Sequence, residues 1–157
     1  DYHRRLGRKV RKILLTPQGS PFDQKKAREW SQCGEVLLMV CGRYEGFDER
    51  VCELVDEEVS GGDYVCLGGE VIAMLIIESV SRLVPGVLGN PDSSETESFA
   101  AGMLEHPQYT RPKMYKGMEV PEELLSGNHG RIEAWRKNRA LEKTRQRRPD
   151  LITRNIE

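Results

Sequence analysis

Hydrophobic positions fall in short blocks that run into glycine. Val36-Leu37-Leu38-Met39-Val40-Cys41 is continuous and breaks into Gly42-Arg43-Tyr44-Glu45-Gly46. Gly62-Asp63-Tyr64-Val65-Cys66-Leu67 follows, closed by Gly68-Gly69-Glu70 and then by an apolar helix pattern. Apolar runs of this length predict strands buried on both faces, the habit of a parallel sheet sandwiched between helices. In such sheets a ligand sits beyond the carboxyl ends of the strands. Glycines there let the backbone approach the ligand closely and leave amides unscreened. Ordinary strand-to-helix turns carry glycines too, but two such loops, one with Arg-Tyr-Glu between its glycines, point to a site.

The remaining pattern fills in an α/β unit. Val10 to Leu15 reads as a strand, and Thr16-Pro17-Gln18-Gly19-Ser20-Pro21 predicts a firm stop, because proline cannot extend a buried ladder. Residues 23–33 predict a helix with Asp23 as N-cap and Gly34 as terminator. Phe47 to Glu58 reads as an amphipathic helix with Phe47, Val51, Leu54 and Val55 inward and its acids in solvent. Residues 71–84 form the most apolar helical stretch, which the sheet or another subunit must cover, and Pro85-Gly86 ends it. Glu78 and Arg82 stand four apart there, the spacing of a surface ion pair. Residues 87–119 turn polar and proline-interrupted, the mark of a linker. A second unit begins near Val120, with Pro121 opening one helix and Asn128 capping another over 129–146, in which Ile132, Trp135 and Leu141 can face a core.

Length and charge sharpen this outline. The 157 residues suit one compact domain, or one domain with a small appendage. The net charge is only −1, yet its distribution is uneven: Glu45 to Glu105 holds fourteen acids against Arg50 and Arg82. Arg131 to Arg148 holds eight basic residues against Glu133 and Glu142, and Arg4 to Lys12 is basic as well. Basic ends on an acidic body suit a polyanion held at the periphery, although solvated helix faces give a similar count. Cys33, Cys41, Cys52 and Cys66 have no C-x-x-C spacing, and Cys41 and Cys66 read as small core residues. The three histidines are scattered and no metal motif occurs. No stretch approaches transmembrane length, and the default setting is a reduced cytoplasm.

Neither a Walker A pattern nor G-x-G-x-x-G is present, so the glycine loops serve a different ligand. Leu15-Thr16-Pro17-Gln18-Gly19, Cys41 to Gly46 and Gly62 to Glu70 together resemble the bacterial tRNA (guanine-N1)-methyltransferases, the TrmD-type enzymes of the SPOUT class. Ser79 to Gly89, Tyr109-Thr110-Arg111-Pro112 and Leu124 to His129 extend the resemblance over nearly the whole chain. It implies a trefoil-knotted parallel sheet over residues 1–88, a linker over 89–119 and a small helical tRNA-binding domain over 120–157. It also implies an S-adenosylmethionine pocket made of knot loops, and a homodimer whose active sites combine both subunits. The reaction implied is methylation of N1 of the guanine next to the anticodon. Family members carry a longer N-terminal portion with the first strands of the sheet, and the chain opens on Asp1 without methionine, so an upstream part is expected.

Residue by residue, the resemblance assigns cofactor binding to Gly42 and to Gly61, Gly62, Asp63, Tyr64, Val65 and Cys66. Pro17, Glu45, Gly68 and Gly69 line the same pocket. A carboxylate such as Glu45 suits the cationic amino group of methionine. Arg82 matches the family's catalytic arginine, whose fixed guanidinium suits the negative charge that spreads to O6 when N1 loses its proton. The family's general base is an aspartate directly before Ser-Phe; here Glu97 precedes Ser98-Phe99. Arg145, Arg147 and Arg148 are the tRNA-contact candidates. Two alternatives stay open: a non-catalytic RNA-binding protein with the same basic surface, and a related SPOUT enzyme acting on another nucleotide.

Overall fold

The structure is a computed structural model that describes residues 7–89 and 97–153. The basic residues at Arg4 and Arg5 and the polar turn 90–95 lie outside the described residues. The chain divides into two compact units, residues 1–91 and 92–157.

The first unit is built on β1 (Val10–Pro21), which lies between β2 (Val36–Cys41) and β3 (Glu57–Ser60), parallel to both. Ile13, Leu14 and Leu15 are buried in sequence, so over these three residues the central strand is covered on both faces. Ile13 and Leu15 meet Ala27 and Trp30 of α1 (Gln24–Gln32) and Ile72, Ile76 and Val80 of α2 (Glu70–Ser81) in one core with Val59. Asp23 caps α1 by accepting the Lys26 amide at 2.9 Å, and Gly34 takes the left-handed conformation that ends it. β2 departs from the reading of strands buried on both faces: Leu37, Met39 and Cys41 pack on the core with the helices, while Leu38 alternates to the opposite face and is exposed.

Two further readings are corrected. β1 does not stop at Leu15. It reaches Pro21 because Leu15 and Ser20 both pair with Val59, leaving residues 16–19 as a wide bulge in which Pro17 owes the ladder no amide. Gly19 permits that bulge: a Cβ there would run into the backbone of Glu58 and Val59. The expected helix over 47–58 and strand over 62–67 are also displaced. Only a short 3-10 turn forms over Glu49–Leu54, and the strand is Glu57–Ser60. The physical reason is the open ladder of β1. Asp56 donates its amide to the Lys12 carbonyl at 2.8 Å and takes the Lys12 amide on Oδ2 at 2.7 Å, so the chain straightens before a helix can propagate. Cys66 accordingly sits in an exposed loop, outside the core.

The second unit is organised by α4 (His129–Arg147). Before it come a hairpin of β4 (Met114–Tyr115) with β5 (Met118–Glu119) and the short α3 (Glu122–Leu125); α5 (Asp150–Thr153) follows. Asn128 caps α4 by accepting the Arg131 amide at 3.1 Å. Trp135 is buried, edge-on to His106 and Tyr109. Thr144, also buried, accepts the Leu104 amide at 2.9 Å while donating to the Ala140 carbonyl. Residues 98–109, read from sequence as part of a linker, are thus folded against α4.

A charged clasp closes the amino end of the sheet. Glu35 takes Lys9 at 2.7 Å and Arg11 at 2.6 Å, while Arg11 and Lys26 both reach Glu57. The hydrogen bonds from Lys9 and then Arg11 hold the Glu35 carboxyl below its ordinary 4.5. A lowered folded-state value means that the stabilisation is complete above the ordinary value and disappears as pH falls through the lowered one. Glu35→Gln is therefore expected to lower the urea midpoint at neutral pH, with the gap to the parent closing as pH drops below 4.5. A gap that stays constant into acid would exclude this role.

Candidate functional site

Three backbone segments converge at the carboxyl end of β1 and β2. These are the bulge after Leu15, the loop Gly42–Phe47 and the loop Gly61–Gly69. The cavity they enclose, about 160 Å³, is floored by Leu15, Val59, Ser60 and Ile72 and walled by the two loops. The loops are tied backbone to backbone, with the Gly69 amide donating to the Gly42 carbonyl at 3.1 Å and Arg43 bridging to Gly68. Glycine gives close approach at several points. A Cβ at Gly42 would strike the Phe47 ring, one at Gly61 would stand 2.7 Å from Ile72 Cδ1, and one at Gly69 would stand 3.1 Å from Cys41 Cα. Gly62 lies at φ +144° and exchanges hydrogen bonds with the buried Ser60 hydroxyl, amide to Oγ at 3.1 Å and Oγ to carbonyl at 3.0 Å.

Side chains fasten the same junction. Arg43 Nε donates to Glu70 Oε1 at 2.8 Å across the two loops. Glu70 heads α2, so its carboxylate is held below the usual range first by its own backbone amide and then by Arg43. Burial, with the Glu70 charge beside it, pushes the Cys41 thiol up, which keeps it protonated and makes it a packing residue. The outer wall is unusual: Tyr44 (φ +62°) is 98% exposed, Val65 86% and Leu67 94%. Large apolar side chains displayed at the mouth of a glycine-lined cavity are suited to closing over something flat and apolar.

Of the cofactor candidates, Pro17, Gly42, Glu45, Gly61, Gly62, Tyr64, Val65, Cys66, Gly68 and Gly69 all line this cavity; Asp63 does not. Phe47, Ser60 and Ile72 also line it and escaped the sequence reading, Phe47 and Ile72 because they looked like core. The Arg43–Glu70 pair was missed because the partners are 27 residues apart.

The other candidates stand elsewhere. Arg82 is the C-cap of α2, at the opposite end of that 12-residue helix from the cavity, about 18 Å away at 1.5 Å per residue. Glu97 belongs to the second unit, where its carbonyl accepts the Ala100 amide at 3.1 Å in a turn. Arg145 and Arg147 are exposed on the last turn of α4. Arg148 differs: it holds Asp150 through two hydrogen bonds of 2.8 and 2.7 Å and lies 5.8 Å above the Phe99 ring.

A family model described as tRNA (Guanine-1)-methyltransferase TrmD matches residues 2–154. Among curated relatives named tRNA (guanine-N(1)-)-methyltransferase, that of Desulforudis audaxviator is 59% identical over 140 residues, which is 89% of this chain and 56% of the relative. The protein of that name from Desulfitobacterium hafniense is 54% identical over 142 residues, 90% of this chain and 54% of its own length. That from Listeria welshimeri is 56% identical over 145 residues, 92% of this chain and 59% of the relative. The chain thus spans little more than half the length of the curated relatives it matches.

The geometry ranks the glycines. Gly69→Val presses on the backbone of Cys41 and is expected to cost about 1–3 kcal/mol of stability by overpacking. An added Cβ at Gly68 meets only the movable Glu70 carboxylate and the Arg43 stem, so Gly68→Val should unfold close to the parent while the Arg43–Glu70 pair is lost. Chemical denaturation of the two variants checks the order, and a reversed order would rule out this packing.

Proposed function

The chain belongs to the tRNA (Guanine-1)-methyltransferase TrmD family, and on that premise we propose that it serves S-adenosylmethionine-dependent methylation of N1 of the guanine next to the anticodon of tRNA. The observation that carries the reading is the glycine cradle. Its residues suit the cofactor: backbone amides and carbonyls at Gly42 and Gly61–Cys66 for the adenine edge, Phe47, Val65 and Ile72 for apolar cover, and the Glu45 carboxylate for an ammonium group. When bound, S-adenosylmethionine supplies an electrophilic methyl group.

The chain's own residues do the rest. Glu97 accepts the N1 proton as the ring nitrogen becomes a nucleophile. Arg82 holds the negative charge that develops at O6, a task for a group that stays charged and keeps a fixed plane. Arg145 and Arg147 contact tRNA phosphates. The distance of about 18 Å along α2 between the cradle and Arg82 favours a homodimer in which one copy's arginine serves the other's cofactor. The outward residues Val71, Met74, Leu75 and Ile77 of α2 offer the apolar surface such a pairing needs. We further propose the trefoil knot of the SPOUT class for the first unit, tRNA holding for the second, and a cytoplasmic setting.

Calorimetry with S-adenosylmethionine is the first test. Micromolar binding is expected, and Gly68→Val, which puts a side chain on a residue that lines the cradle, should abolish it in a folded protein. No binding by the parent would favour a non-catalytic RNA binder. The second test concerns chemistry: Glu97→Gln should lower the single-turnover methylation rate about 10²-fold or more, with tRNA and cofactor affinity nearly unchanged, and Glu97→Asp should retain much of the rate. A normal rate in Glu97→Gln would remove Glu97 from this role. In the third, Arg145→Ala with Arg147→Ala should weaken tRNA binding and reduce its salt slope by roughly one unit per lost phosphate contact. Unaltered affinity and slope would mean that this charge is merely solvated.

A further inference from the structure

Arg148 was grouped by sequence with the phosphate-binding arginines, but its surroundings are different. It caps α4, where its amide donates to the Thr144 carbonyl at 2.8 Å. Its guanidinium is committed edge-on to the Asp150 carboxylate through Nε and Nη2, and that bond raises its pKa further above its ordinary value. With its edge so fixed, its Cζ stands over the Phe99 ring, 5.8 Å from the centroid and two residues from Glu97. Arg145 and Arg147, three and one positions before it, have no ion-pair partner among the described residues.

The segment under that guanidinium is a tight loop pinned at both ends. Phe99 is left-handed at φ +72° and donates its amide to the Met103 carbonyl at 2.7 Å. Ser98 Oγ accepts the Glu105 amide at 3.0 Å. Two neighbouring α4 side chains take hold of the loop's far end, Thr144 Oγ1 at the Leu104 amide and Lys143 Nζ at the Glu105 carbonyl, 3.1 Å. The anchors from outside the loop come from one turn of α4 and its cap. A non-glycine residue at positive φ persists only where its surroundings over-determine it. The arginine over Phe99 is the anchor from the α4 cap that lies nearest to Glu97.

We propose that Arg148 is a positioning residue for Glu97: by stacking on Phe99 while locked to Asp150, it fixes the turn that presents the carboxylate to the guanine edge. The proposal rests on the reading of Glu97 as general base. Lysine cannot replace arginine in this task, because an ammonium has neither the planar fork for Asp150 nor a flat face for the ring. It would suffice for a phosphate contact.

The test uses the full-length protein and separates the two duties. Arg148→Lys and Phe99→Leu are each expected to lower the single-turnover methylation rate at saturating tRNA and cofactor by about 10-fold. tRNA affinity and salt slope should stay at the parent's values. The double variant should be no slower than either single one, because both remove the same stacking contact. Circular dichroism and thermal melts of both variants exclude general unfolding of the second unit. A normal rate in Arg148→Lys, or multiplying losses in the double variant, would overturn the proposal. So would weakened tRNA binding with an intact rate in Arg148→Ala, which would return this arginine to phosphate contact. Glu97→Gln is measured alongside: if it methylates normally, the reading of the base has failed and the Arg148 result is judged only as loop anchoring. If it is slow while Arg148→Lys and Phe99→Leu are not, the positioning role alone has failed.

Discussion

The hydrogen bond between the Gly69 amide and the Gly42 carbonyl joins the end of one strand to the start of a helix. It is possible only because neither residue carries a side chain, since each hypothetical Cβ meets something solid: the Phe47 ring at Gly42, the Cys41 backbone at Gly69. From that junction α2 takes its direction, Ile72 reaches the cavity floor, and Arg43 comes within reach of Glu70. Fold and cavity thus share one condition: two loops touch main chain to main chain. A hydrophobic core tolerates many exchanges of similar volume, but a contact of this kind tolerates almost none.

Much of this was legible in the chain. The apolar blocks at Val10–Leu15 and Val36–Cys41, the Asp23 and Asn128 caps and the Gly34 stop all follow from short-range preference, and the structure agrees with it. The glycine loops were legible too, and ten of the residues that the family resemblance assigns to cofactor binding line one cavity. The misreadings share a cause. β3 has two glutamates in four residues and looks like the end of a polar helix; only the unpaired edge of β1, invisible in a local window, makes it a strand. Conversely, Tyr64, Val65 and Leu67 look like a buried strand because they are apolar, yet they stand at the mouth of the cavity, largely in solvent. Apolar residues kept for a ligand or a partner are indistinguishable by composition from those kept for a core.

The second unit makes the same point with charge. Three arginines within four positions of one helix end read alike in sequence, as a basic patch. In the structure Arg145 and Arg147 face solvent, while Arg148 turns back to its own chain and is occupied on its edge by Asp150 and on its face by Phe99. Thr144 is another instance: an ordinary polar residue in the helix that is fully buried because its hydroxyl satisfies a loop amide and a helix carbonyl at once. Such bonds run over about forty positions of sequence, as from Leu104 to Thr144, so no periodicity announces them.

The clasp between Arg43 and Glu70 also ties the cavity to the medium around it. Both side chains are largely in water, 64% and 48% exposed. Attraction between such groups is felt over only about 8 Å at physiological ionic strength and over about 3 Å in molar salt. Counter-ions therefore compete directly with the latch, whereas the backbone bond beside it is indifferent to them. Concentrated salt would leave the glycine junction in place and loosen the rim, turning a rigid doorway into a breathing one.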